Sequence, residues 1–144
     1  MFTYLNIPKL NSVEEENAWS MIIPENKIPL PSYISLFSMY VIRDGALREF
    51  LYKNFGRDLK FRIQTLEIGY QQIHIDYGRN WACNYLLDLG GDKVFTHFYS
   101  SMTDTVPIFS EHIELNRWHR LDVAKPHNVT GINHKRVAVT VCDQ

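Results

Sequence analysis

Beyond Gly56 the chain is built of short apolar runs separated by turn residues. Leu59–Ile68, Gln72–Tyr77, Trp81–Leu89, Lys93–Ser100, Glu111–Leu115, Leu121–Ala124 and Arg136–Cys142 are rich in Ile, Val, Phe, Tyr and Thr. Gly69, Gly78–Asn80, Gly90-Gly91-Asp92, Thr103–Pro107 and Gly131–His134 punctuate them. β-Branched and aromatic residues suit a pleated, half-buried surface. Runs this short, with no helical periodicity between them, predict an all-β sandwich or barrel.

The N-terminal third has a different pattern. Ala46, Leu47, Phe50 and Leu51 recur at helical spacing, with Asp44 placed to cap the start and Gly56 the end. The apolar stretch Ile34–Ile42 fits a strand or a helical turn equally well. Pro24, Pro29 and Pro31 keep the segment before it extended or looped, because each fixes φ and removes a backbone donor. The acidic piece ahead of them (Glu14, Glu15, Glu16) reads as an arm or short helix laid on the core. A chain of 144 residues predicts one domain, with residues 1–57 as arm and helical support and 58–144 as the β core.

Composition narrows the function. A hydrophobic content of 45% and a formal net charge of −1 describe an ordinary globular chain without the basic excess of a general nucleic-acid binder. No stretch approaches the roughly 20 apolar residues that a membrane span needs. The N-terminus lacks a basic segment followed by an apolar core, so a cytoplasmic location is expected. Cys83 and Cys142 each sit in an apolar run without C-x-x-C spacing. Two buried free thiols are expected, with a lone disulfide as the alternative. There is no glycine-rich phosphate loop, G-x-S-x-G elbow or H-E-x-x-H helix, which removes nucleotide hydrolysis and the common hydrolases.

The residues that carry chemistry are His74, Asp76, His127 and Arg136. In Ile73-His74-Ile75-Asp76, strand alternation puts an imidazole and a carboxylate on one face, with the isoleucines free to pack outward under the helices. Such a pair supplies two ligands of a 2-His-1-carboxylate triad, which leaves open positions on Fe(II). His127, in Lys125-Pro126-His127, is the candidate third ligand. In the last run Arg136, Ala138 and Thr140 share one face and Val137, Val139 and Val141 the other. An arginine facing a barrel interior needs a buried anion, and a carboxylate matches its planar fork.

The order His74-x-Asp76, distal His127, then Arg136 resembles the Fe(II)/2-oxoglutarate-dependent oxygenase superfamily. The runs His74-Ile-Asp76-Tyr-Gly-Arg79-Asn-Trp-Ala-Cys-Asn84, Lys125-Pro-His127-Asn-Val-Thr-Gly and Arg136-Val-Ala-Val-Thr140 are similar to its small bacterial and phage members. The aspartyl/asparaginyl β-hydroxylase-like group has a related shape. The likeness spans Leu59 to the C-terminus and says nothing of residues 1–30. It implies a double-stranded β-helix (a cupin-like jelly roll) with N-terminal helices. It also implies His74, Asp76 and His127 as iron ligands, and Arg136, assisted by Thr140, on the distal carboxylate of 2-oxoglutarate. Asn84 would point inward beside the cosubstrate, with Tyr99 or His97 lining the same pocket. The implied activity is that of a dioxygenase that couples decarboxylation of 2-oxoglutarate, with O2, to hydroxylation of a second molecule. From size alone, a chain this short leaves little room for a substrate lid, so a pocket open to a peptide or protein side chain is expected, with a small molecule as the alternative.

Plainer readings exist for each residue. The alternative for His127 is a loop histidine satisfied by backbone, and for Arg136 a strand-end surface arginine. His97, His112, His119 and His134 lack ligand spacing and read as surface or pocket-rim residues. Arg117-Trp118-His119-Arg120 reads as a solvated connection whose Trp covers the core, and Arg79 and Trp81 as candidates to touch substrate. Two other functions fit a jelly roll: a cupin-like metal enzyme that does not use 2-oxoglutarate, which needs no interior arginine, and a non-catalytic binding module, which needs no metal. Exposed sheet edges leave room for a homodimer.

Overall fold

The computed structural model describes residues 1–31, 37–69 and 71–143. Among these residues the elements run β1 (Phe2–Tyr4), α1 (Ser12–Ser20), β2 (Phe37–Val41), α2 (Ala46–Phe55), β3 (Lys60–Leu66), β4 (Trp81–Asp88), β5 (Phe95–Phe98), β6 (Phe109–Glu111), β7 (His119–Asp122), β8 (His127–Thr130) and β9 (Arg136–Cys142). They form a six-stranded antiparallel sheet ordered β1-β7-β4-β9-β3-β2 and a three-stranded sheet ordered β6-β5-β8. No helix among the described residues is long and apolar enough to cross a membrane.

The large sheet has two different buried faces, and period-2 alternation decides which side chain goes to each. Ile63, Cys83, Tyr85, Val137, Val139 and Val141 turn toward the helices and pack with Ala18, Leu47, Phe50, Leu51 and Trp118. Ala82, Leu86, Ala138 and Cys142 turn the other way, toward Phe98 of the small sheet and Val123. Val139, Val141, Ile63, Leu47 and Leu51 are fully buried, each contributing roughly 1.5–3 kcal/mol of transfer free energy. The free thiols lie on adjacent strands but on opposite faces, so no disulfide can join them.

Helix α2 begins and ends as its apolar stripe predicts, but Asp44 does not cap it. Asp44 instead pairs with Arg48 on the surface, and the orphan Leu47 N–H donates to Asn17 Oδ1 of α1 at 2.9 Å. The cap thus comes from the neighbouring helix. Helix α1 carries its own capping box, Glu14 N to Asn11 Oδ1 and Asn11 N to Glu14 Oε1, each at 2.8 Å.

Four expectations need correction. The β core does not start at residue 58, because β1 and β2 form the two edges of the large sheet. Gln72–Tyr77 is not a regular strand. It runs beside β8 through separate bonds, Gln71 N to Val129 O and His74 N to His127 O, and is held past the end of β7 by Asp76 N to Val123 O. The run expected at Glu111–Leu115 is shifted, with β6 at Phe109–Glu111, while His127–Thr130 is a strand and not a loop. The helices cover the other sheet, so Ile73 and Ile75 do not pack beneath them, and Ile75 lines the interior cavity described next. Of the ambiguous Ile34–Ile42 stretch, Phe37–Val41 is a strand, and residues 34–36 lie outside the described ones.

Candidate metal centre

His74 and His127 face each other across an antiparallel bridge in which each backbone N–H donates to the other's carbonyl, at 3.0 and 2.9 Å. Directly opposed residues put their side chains on the same face, and the ring centroids stand 4.4 Å apart. Asp76, two residues after His74, returns to that face. Its Oδ1 lies 3.5 Å from His74 Nε2 and 3.6 Å from His127 Nε2. The three ligand atoms lie within 4.8 Å of one another.

The hydrogen bonds leave these atoms free to bind. His74 Nδ1 donates to Gln72 O at 2.8 Å and His127 Nδ1 to Lys125 O at 2.7 Å. A donated Nδ1–H puts the lone pair on Nε2 in both rings, the tautomer a metal ligand needs. Burial holds the His127 imidazole below its usual pKa, opposed by the bond to Lys125 O, and so favours the neutral, ligating form. Asp76 Oδ2 is taken by the Arg79 guanidinium, which leaves Oδ1 for a cation. The donor set of two imidazoles and one carboxylate suits Fe(II) and related divalent ions.

The triad opens into a cavity of about 310 Å³ between the two sheets, large enough for a small acid. Arg136, Thr140 and Asn84 line it, with Gln64 and Thr96. Asn84 stands opposite Thr140 on β9 and opposite His119 on β7, so the three share a row across the sheet. Arg136 is only 7% exposed, and its Nη1 has no hydrogen-bond partner among the described residues. Burial alone pushes its guanidinium down to about 10. Asn84 Oδ1 is likewise buried and unpartnered among the described residues. Gly90 makes room for the arginine: a Cβ there, at φ +84°, would stand 2.8 Å from Arg136 Cβ.

The expected residues do not all converge. Tyr99 does not line the cavity; its hydroxyl donates to Asn128 Oδ1 at 3.0 Å. His97 also lies outside the cavity, its Nδ1 2.6 Å from Ser110 Oγ and its Nε2 2.8 Å from Thr130 Oγ1. Cys83, buried against the helices, has its thiol pushed up to about 11, which makes it inert. Trp118 is not a lid over the core but part of it, packed on Phe50, Phe55 and Tyr85.

His119 is not a rim residue. It is 0% exposed, with Nδ1 donating to Arg117 O and Nε2 unpartnered among the described residues. The signal was present: on a strand His119 shares a face with Leu121, whereas Arg120 turns over the Trp81 ring. Burial, with Arg136 as a lesser cause, pushes its imidazole from 6.5 to about 4. Its folded value is thus the lower one. Stability from neutral His119 is complete above pH ~6.5 and drains away as pH falls toward ~4, a total of roughly 3 kcal/mol. A His119→Gln protein should lack this component. Urea melts at pH 7 and pH 4.5 should show a smaller acid loss for the variant, and equal losses would count against the assignment.

No family model matches the chain, and no curated protein matches it in sequence. Solved structures share its architecture at low identity. A Pseudomonas putida prolyl-4-hydroxylase aligns with a TM-score of 0.59 at 13% identity, over 98% of this chain and 90% of that one. Ectoine synthase from P. lautus aligns with a TM-score of 0.55 at 10% identity, over 88% and 74%. The fold is a cupin-like jelly roll. At these identities the likeness concerns the fold alone; function has to be argued from the side chains of the cavity.

Proposed function

We propose that the protein is an Fe(II)- and 2-oxoglutarate-dependent oxygenase, a hydroxylase that couples oxidative decarboxylation of the cosubstrate to oxidation of a second molecule. The observation that carries this reading is Arg136. A buried guanidinium whose Nη1 has no hydrogen-bond partner among the described residues shares one cavity with a His-Asp-His triad. A metal triad alone would suit many cupin-type enzymes. An unsatisfied interior arginine beside it calls for an anion that also reaches the metal, and an α-keto dicarboxylate has both ends.

His74 Nε2, Asp76 Oδ1 and His127 Nε2 would hold the iron, which supplies activation of O2 and decarboxylation of the keto acid when bound. The residues themselves bind and orient. Arg136 takes the distal carboxylate as a two-point donor, Thr140 adds a hydroxyl from the same strand face, and Asn84 holds the acid from the neighbouring strand. Leu86, Val129 and Ala138 add apolar surface to the lining of the cavity. The second substrate would approach past His74, the most exposed of the three ligands. A peptide or protein side chain is the first substrate class to test here, since the triad is reached from outside past the half-exposed His74.

The test is an anaerobic titration with Fe(II) and then 2-oxoglutarate, following the weak visible charge-transfer band of an iron-bound keto acid. A band that requires both additions is the expected result. Iron binding that 2-oxoglutarate leaves unchanged would point to a cupin-type metal enzyme of another class. Absence of both would end the oxygenase reading.

A further inference from the structure

Arg79 has no part in the metal-ligand set or the acid cradle, yet it is the side chain that holds Asp76. Its Nη2 bonds Asp76 Oδ2, and its Nη1 lies 3.5 Å from Cys142 Sγ at the buried end of β9. The turn between them makes this contact: Gly78, at φ +78°, reverses the chain so that the side chain three residues after Asp76 comes back over it. The next residues are anchored too, with Asn80 N donating to Asp143 Oδ1 at 3.4 Å before β4 begins at Trp81. The guanidinium is thereby braced between the carboxylate and the thiol. It stands on the far side of the carboxylate from the two imidazoles, which both face Oδ1.

We propose that Arg79 is a positioning residue that restricts Asp76 to one-oxygen ligation of the metal. This rests on the reading of the triad as a metal site. A free carboxylate can close on a divalent ion with both oxygens and so occupy one more of its positions. An oxygen committed to a charge-assisted bond is not available for that. The proposed chemistry needs the open positions, since a chelating keto acid fills two and O2 needs another. Arg79 does not serve affinity, because a cation this close to a dication weakens its binding. The restriction of coordination is what the bond provides, and the outer partners of metal ligands commonly act in this way.

Water-proton relaxation of the Mn(II)-loaded protein measures the exchangeable positions on the metal without any turnover. Arg79→Met keeps the aliphatic stem and frees Oδ2. Its Mn(II) relaxivity should fall by about one-third, from three exchangeable positions to two, with Mn(II) affinity equal to or above wild type. Arg79→Lys keeps one charged donor and should restore the wild-type value. Wild-type relaxivity in Arg79→Met at full Mn(II) occupancy, or an equal fall in Arg79→Lys, would overturn the proposal. If the wild type itself binds no Mn(II), it is the metal reading that fails, so the two failures are told apart.

Discussion

Replacing Arg136 with methionine should raise the melting temperature of the ligand-free protein and at the same time sharply weaken its binding of 2-oxoglutarate. The two effects have one cause. Arg136 is buried, its Nη1 finds no partner among the described residues, and desolvation pushes its guanidinium down to about 10. In the free protein it therefore carries an uncompensated desolvation penalty, and an apolar side chain of similar length relieves it. Exchanges of buried charges for packed apolar groups stabilise by about 1–4 kcal/mol. In the bound state the same guanidinium would be the main partner of the distal carboxylate. Its loss should weaken the acid by at least about 30-fold, the lower end of what removal of a buried charged partner costs. Calorimetric melts read the first effect, and titration of the Fe(II)-loaded protein reads the second. A variant that melts lower and still binds the acid normally would show Arg136 to be a structural residue and remove the central support for the proposed function.

His127→Ala should weaken Fe(II) or Co(II) binding by more than about 100-fold, beyond the range seen when only an outer partner of a ligand is lost. The variant is a cleaner test than Asp76→Ala, which would also release Arg79. His127 presents a neutral Nε2 whose tautomer is set by Lys125 O, and it stands 3.6 Å from Asp76 Oδ1. Removing it leaves the Arg79–Asp76 pair and His74 intact and takes away one ligand of three. Because the ring also packs 6.1 Å from Phe98, a melt should accompany the competition assay against a chelating dye. Affinity within a few-fold of wild type in a folded variant would mean that the three groups are not a metal site. His74→Ala, at the more exposed position, should give a loss in the same direction.

The expected residues differed in how far they could be read from the chain. Arg136 was legible because alternation through Arg136–Cys142 needs only the pleat of one strand, and the valines named the face turned to the helices. Tyr99, expected only from the family resemblance, was misplaced: Thr96 and Phe98 take the inward face of this segment, while His97 and Tyr99 share the other face, where the Tyr99 hydroxyl bonds Asn128. His119 was dismissed for want of ligand spacing, although its place beside Leu121 marked it as buried. Asp44 looked like a cap because capping preferences are local, whereas the cap used comes from Asn17 on another helix.

What the chain alone determined is what depends on the pleat and the helical turn. That covers the apolar stripe of α2, the two faces of β9, and His74 and Asp76 side by side. Only the tertiary structure decided that His127 meets His74, that β1 and β2 edge the large sheet, and that Arg79 holds Asp76 from behind. The physical reason is register. A strand's alternation is fixed by its own backbone, but which residue faces which is fixed by hydrogen bonds to a partner distant in sequence, and a slip of one position would turn His127 out of the cavity.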